Sequence, residues 1–311
     1  MPLDPRVRRF LDVLAASKPQ QMQDTTVEER RLGLAQLMKF GGPEAPVDGL
    51  DDRSLQGLGG PLRARVYTPL DTRDAVLPGL IYFHGGGMVA GTLGTHDGIA
   101  RALANSSRCR VVSIDYRLAP EHPFPAALDD AVGAVAHVAG HAATFGIDPR
   151  RLGVAGDSAG GTLAAAAVQA LSRIGKPRIE LQLLICPILD YGGTTPSKRE
   201  LASGYLVDQA TLDHDLRYYL PAGADPADPR ISPLRAADLS GLPRALIHTA
   251  EFDPLRDEGR DYCQRLARAR VEVSYTCHPG MIHLFYGLGG VIPYARSAFE
   301  QIGGEIRAAM G

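Results

Sequence analysis

The stretch Gly156-Asp157-Ser158-Ala159-Gly160 fits G-x-S-x-G and could carry a nucleophile. Small apolar residues, Leu152 to Ala155, precede it, and an Ala- and Leu-rich run from Thr162 to Ser172 follows. That order reads as strand, sharp turn and helix. Side chains at 156 and 160 would collide with neighbouring backbone in so tight a turn. The strain would hold the Ser158 hydroxyl outward at a helix N-terminus, where backbone N–H groups can stabilise an oxyanion. Alone, the motif also admits an ordinary strand-to-helix turn in which Ser158 caps the helix.

A serine hydroxyl is a poor nucleophile at neutral pH and needs a base. Parallel sheets hold their sites on loops beyond the carboxyl ends of the strands. Of nine histidines, His278 and His283 follow the last expected strand. Pro279-Gly280-Met281-Ile282 reads as a loop that gives His283 the reach to return over the sheet, so His283 is the preferred base and His278 the alternative. Asp253, in the turn Glu251-Phe252-Asp253-Pro254-Leu255, would orient the base, fix its tautomer and stabilise the imidazolium. Glu251 is the alternative acid, and Asp253 could simply cap the next helix, whose first turn would suit Pro254. The order Ser, Asp, His is the one that α/β-hydrolases use. His84-Gly85-Gly86-Gly87 is a third element. Three glycines let backbone N–H groups approach one substrate atom, and no G-K-[ST] follows to suggest a P-loop. The expected oxyanion donors are the N–H groups of Gly86, Gly87 and Ala159, with His84, Gly85 and Asp157 in support.

These residues need a scaffold. Residues 80–83, 111–114, 152–155, 181–185, 245–249 and 271–276 are short, apolar and rich in β formers. Helical patterns at 96–107, 126–143, 159–173 and 255–269 separate most of them, and a less sharply patterned helix covers 293–309. Alternating β and α with near-continuous apolar strands argues an α/β fold with a mostly parallel sheet covered on both faces. Residues 46–68 read as two antiparallel strands at its edge, with Leu62, Ala64 and Val66 facing one way. Helices at 7–14 and 26–39 precede any strand; periodicity admits either a separate lobe or packing outside the sheet. About 60 residues between the strands near 185 and 245 interrupt the rhythm, with a helical run ending at Tyr219. A connection this long carries function or structure of its own.

Bulk properties narrow the classes. The formal net charge of −2 gives no reason to expect nucleic acid or an anionic membrane surface as partner. Cys109, Cys186, Cys263 and Cys277 form no C-x-x-C and read as free thiols in a reducing compartment. No metal site is expected. The N-terminal residues form no apolar run of signal length, since Asp4 and Asp12 interrupt them. No stretch approaches the roughly 20 apolar residues of a membrane span. A soluble, cytoplasmic protein is expected, with no stable membrane association.

Three motifs together resemble the hormone-sensitive-lipase-like family of bacterial carboxylesterases (bacterial family IV). They are His84-Gly85-Gly86-Gly87, the run Asp115-Tyr116-Arg117-Leu118-Ala119-Pro120-Glu121-His122-Pro123-Phe124-Pro125-Ala126-Ala127, and Gly156-Asp157-Ser158-Ala159-Gly160-Gly161. Asp253-Pro254-Leu255 and Gly280-Met281-Ile282-His283 extend the likeness, which spans roughly residues 60 to 290. Asp157 is like the family's larger, Gly-Asp-Ser-Ala-Gly subgroup. The resemblance implies an α/β-hydrolase with a helical cap over the acyl pocket. It implies hydrolysis of short- to medium-chain acyl esters of small molecules without a cofactor, and often a homodimer. The chain then divides into cap segments at 1–45 and 193–221 and a catalytic domain at 46–192 and 222–311. Met88 stands where the family usually has an aromatic residue, and Leu284-Phe285 where it has Gly-Phe. Met88, Tyr205, Leu206 and Leu284 are candidates for the substrate pocket, as are Leu212, Tyr218 and Tyr219. The same triad would serve an amidase or a lactonase. A non-catalytic binder on this fold is the reading from another class, and such relatives typically lose a triad member.

Overall fold

The computed structural model describes residues 2–17, 22–73 and 75–311. Eight strands form one sheet in the order β1-β2-β4-β3-β5-β6-β7-β8. β1 (Gly49–Gly57) and β2 (Gly60–Thr68) form an antiparallel edge, and β2 runs antiparallel to β4 (Arg110–Asp115). All other pairings are parallel, through β3 (Leu77–Phe83), β5 (Ile147–Asp157), β6 (Leu181–Ile185), β7 (Arg244–Phe252) and β8 (Val273–Ile282).

Successive side chains of a strand point to opposite faces, and here both faces are covered. Ile81 and Phe83, Val112 and Ile114, Val154, Leu184 and Ile247 pack into one core. It is closed by α4 (Ala126–Gly140), α5 (Ala159–Ile174) and α8 (Arg256–Arg268). Leu80 and Tyr82, Val111, Ala155, Leu183 and Leu246 pack into a second core under α3 (Asp97–Ser107) and α9 (Tyr294–Met310). Burial on both faces is why the parallel strands read as continuous apolar runs.

α1 (Pro5–Ala16) lies against β8: Asp4 N–H donates to the Gly280 carbonyl at 3.1 Å, and Val7 and Phe10 enter the second core. α2 (Val27–Met38) starts with a reciprocal Thr26–Glu29 capping box. It reaches the long β6–β7 connection, which folds into α6 (Pro196–Glu200), α7 (Gln209–Tyr219) and a 3-10 turn at Pro233–Arg235. Arg30 of α2 pairs with Asp215 of α7. The connection is anchored to the body by Glu258, whose buried carboxylate accepts from Leu189 N–H at 2.7 Å and Asp190 N–H at 2.9 Å, and pairs with Lys198.

Two expectations change. Residues 279–282 are not a loop: β8 continues to Ile282, with Phe252 opposite Ile282 after a register shift. Pro279 falls in that register shift, between the paired residues His278 and Ile282, so it costs no ladder bond. Helix α8 begins at Arg256, two residues beyond Pro254, which lies in the preceding turn.

Candidate active site

The register brings the chemistry to one line. Phe83 lies opposite Gly156, Asp157 opposite Ile185, and Phe252 opposite Ile282. The residues just beyond these pairs are His84, Ser158, Cys186, Asp253 and His283. Four parallel strands, β3, β5, β7 and β8, therefore deliver the oxyanion loop, the nucleophile, the acid and the base to the same sheet edge.

Ser158 has φ 52° and ψ −120°, a backbone conformation that costs an L-residue of order 1–3 kcal/mol. It makes no side-chain cap bond to α5, so the hydroxyl is not consumed as a helix cap. The flanking glycines are obligatory. A Cβ on Gly156 would lie 2.0 Å from the Gly160 carbonyl oxygen, and one on Gly160 would lie 2.0 Å from the Phe83 carbonyl oxygen. The backbone of the elbow thus touches β3 directly. Ser158 Oγ is 3.1 Å from His283 Nε2, and His283 Nδ1 is 2.8 Å from Asp253 Oδ2. The other carboxylate oxygen of Asp253 accepts from Leu255 N–H at 2.8 Å, so Asp253 orders its own turn while holding the imidazole. Burial alone would lower the His283 pKa; the charge and hydrogen bond of Asp253 outweigh it, and the pKa is raised above 6.5. Asp253 is fully buried, His283 is 3% exposed and Ser158 8%, so the relay is shielded except at its nucleophilic end.

The alternative groups serve elsewhere. His278 lies within β8, stacks on His248, contacts the Tyr294 hydroxyl at 3.1 Å, and burial lowers its pKa to about 4. Glu251 accepts from Gly280 N–H at 2.7 Å and so braces β8.

The glycine run is held from behind. Asp157 Oδ1 accepts from Gly85 N–H at 3.0 Å and from the Tyr82 hydroxyl; Asp157 Oδ2 accepts from the Tyr286 hydroxyl at 3.1 Å and lies 3.6 Å from His96 Nε2. Burial opposes this carboxylate's charge, but His96 and the Tyr82 hydroxyl outweigh it and its pKa is lowered. His84 stacks between His96 and Tyr116, and the Tyr116 hydroxyl donates to the His84 carbonyl at 2.7 Å. Burial holds the His84 pKa down at about 3, so its ring is neutral. The loop then turns at Gly86 (φ 119°) and Gly87 (φ 67°), a region that favours glycine. The Gly86 carbonyl accepts from Val89 and Ala90 N–H. Among the described residues the N–H groups of Gly86, Gly87 and Ala159 have no acceptor. Three free donors beside a serine hydroxyl are what an incoming oxyanion requires.

Of the pocket candidates, Met88 is fully buried in the first core and Leu284 almost so in the second. Tyr219 is likewise a core residue. Tyr205, stacked on Phe252 at 5.3 Å, and Leu206 keep partial exposure. Sequence reasoning missed Tyr82, His96 and Tyr286 around Asp157, and also Cys186, Arg30 and Asp215. Cys186 Sγ lies within 4.8 Å of atoms of both Asp253 and His283, the one grouping among the described residues with metal-capable donors so close. Asp253 and His283 already spend those donors on each other.

A family model described as the alpha/beta hydrolase fold matches residues 80–287. Carboxylesterase NlhH of Mycobacterium tuberculosis is 40% identical over 284 residues, 90% of this chain and 82% of that one. Ethyl acetate hydrolase of Pseudomonas putida is 35% identical over 95% of both chains. Among solved structures, an ester-hydrolase from the metagenome of Lake Arreo superposes with a TM-score of 0.95 at 39% identity, covering 98% of both chains.

Proposed function

The chain belongs to the alpha/beta hydrolase fold family and is a carboxylic ester hydrolase, and from that premise we propose that it cleaves short- to medium-chain acyl esters of small molecules through an acyl-enzyme on Ser158. The observation that carries the mechanism is the unbroken Asp253–His283–Ser158 relay beside three unpaired N–H groups. His283, neutral, takes the Ser158 proton as Oγ attacks the ester carbonyl. The N–H groups of Gly86, Gly87 and Ala159 hold the oxyanion. His283 then gives its proton to the departing alcohol, takes one from water, and returns it to Ser158 as the acid product leaves. Asp253 keeps the ring oriented and stabilises the imidazolium in both halves.

The short-acyl part rests on two supports. One relative is an ethyl acetate hydrolase. In addition, α2 and α7 are drawn together over the glycine run by Arg30–Asp215 and by His214 Nε2, 3.0 Å from the Thr25 carbonyl. On the same ground we assign 1–45 and 193–221 to the cap and 46–192 and 222–311 to the catalytic domain; α1 lies against β8, and α2 makes the contact to α7. No helix among the described residues is long and apolar enough to cross a membrane. Four free cysteines favour the cytoplasm.

The test is an acyl series of p-nitrophenyl esters from acetate to palmitate, run beside Ser158→Ala. Turnover peaking at short chains and vanishing in the folded variant is expected. A variant that keeps most of its activity removes Ser158 from the mechanism, and a peak at long chains overturns the acyl preference.

A further inference from the structure

The oxyanion glycines face an unexpected neighbour. A Cβ on Gly87 would lie 1.8 Å from Asp215 Oδ2 and 2.4 Å from its Cγ, so the carboxylate of α7 rests directly on the Gly87 Cα. A negative charge there opposes the oxyanion that the Gly87 N–H is placed to receive. Its penalty is large because water is largely excluded. Arg30 answers it. The guanidinium binds Asp215 with Nε 3.1 Å from Oδ1 and Nη2 2.8 Å from Oδ2, a two-point contact. The side chains are 13% and 6% exposed, so solvent does little of the neutralising. His214 Nδ1 is 3.0 Å from Asp215 Oδ1, on the far side of the same carboxylate.

We propose that Arg30 is a positioning residue for ester hydrolysis, cancelling the Asp215 carboxylate beside the oxyanion hole so that closure of the cap does not raise the barrier. Resting on the ester-hydrolase reading of Ser158, it gives an otherwise simple cap contact an electrostatic task. The positive charge of Arg30 also reaches His283, where it opposes protonation, while Asp253 and Asp157 favour it.

A purely mechanical strap and a charge balance make different forecasts. If the pair only ties α2 to α7, Arg30→Met, Asp215→Asn and the double variant each lose the tie and fall alike, with KM rising. If it balances charge, Arg30→Met strands the carboxylate. A fall of about 10- to 100-fold in kcat is then expected, somewhat below the loss of a whole oxyanion donor. Its acid limb of kcat/KM should move to higher pH. Asp215→Asn should lose less kcat than Arg30→Met and move that limb to lower pH. Adding Asp215→Asn to Arg30→Met should recover at least half of the logarithmic loss. Arg30→Lys, which keeps the charge and loses the fork, should retain more kcat than Arg30→Met and covers the case in which Met prevents folding. Turnover of p-nitrophenyl acetate and the rate at which a fluorophosphonate labels Ser158 are both read. If the wild type labels but does not turn over, the ester reading fails and the order of labelling rates still decides the pair. No recovery in the double variant, or acid limbs that do not separate, overturns the proposal.

Discussion

Asp157→Asn tests the scaffold behind the oxyanion loop while keeping side-chain volume. In the native chain this carboxylate accepts from the Tyr82 hydroxyl, Gly85 N–H and the Tyr286 hydroxyl. Bonds to a charged acceptor contribute about 1.5–3 kcal/mol each and neutral ones about 0.5–1.5, so the exchange loses roughly 1 kcal/mol per donor. Three donors make about 3 kcal/mol, and the amide recovers part of that because it is cheaper to bury. A net loss of about 2 kcal/mol is expected, a sizeable share of the roughly 5–15 kcal/mol that holds a domain. The folded carboxylate has a lowered pKa, so its contribution is complete above the ordinary value of 3.8 and disappears as pH falls through the folded value below it. The gap between wild type and variant should therefore be full at neutral pH and close only in strong acid. Asp157 also favours the protonated His283, so its loss should move the acid limb of kcat/KM to lower pH. Urea unfolding at pH 7 and 4, with a pH profile on p-nitrophenyl acetate, measures both. A variant within about 0.5 kcal/mol of wild type, with an unmoved limb, refutes the role given to this carboxylate.

In the wild type, kcat/KM should fall as pH drops through a value above 6.5, since His283 acts neutral and its pKa is raised by Asp253 over the opposing effect of burial; a limb centred below 6.5 contradicts that. The same shift stabilises the fold below 6.5 and is lost as pH rises through the folded value. Gly160→Ala should cost roughly 3 kcal/mol by overpacking, because its methyl would meet the Phe83 and His84 carbonyl oxygens at 2.0 and 2.6 Å. It should also displace the glycine run, so thermal unfolding and turnover should both suffer; a wild-type midpoint would show the elbow to be looser than described.

The parts of the site that were legible in sequence are those written within a few residues. Ser158 between its glycines, and His84 with its glycine run, carry their backbone requirement in their own composition. Strands β3 to β7 were legible because burial on both faces demands unbroken apolar runs. What escaped is held by distant partners. Tyr82 and Tyr286 reach Asp157 from 75 and 129 positions away, and Arg30 meets Asp215 across 185. No local periodicity reports such meetings. The end of β8 escaped for a different reason. Pro279 and Gly280 punctuate chains into turns far more often than they extend strands, and here an edge position and the Glu251–Gly280 bond override that tendency.

The extension of β8 also decides how this enzyme can vary in length. A base carried on a loop tolerates insertions and deletions, because the loop re-closes at little cost. His283 instead comes directly after a strand that pairs with β7 residue by residue through His278 and, after a register shift, again at Ile282. Adding or removing one residue within the regular ladder at 273–278 would turn the side chains beyond it to the opposite face of the sheet. That ladder can therefore drift in composition but not in count, and variation in size is left to the irregular stretch at 279–281 and to the connection between β6 and β7.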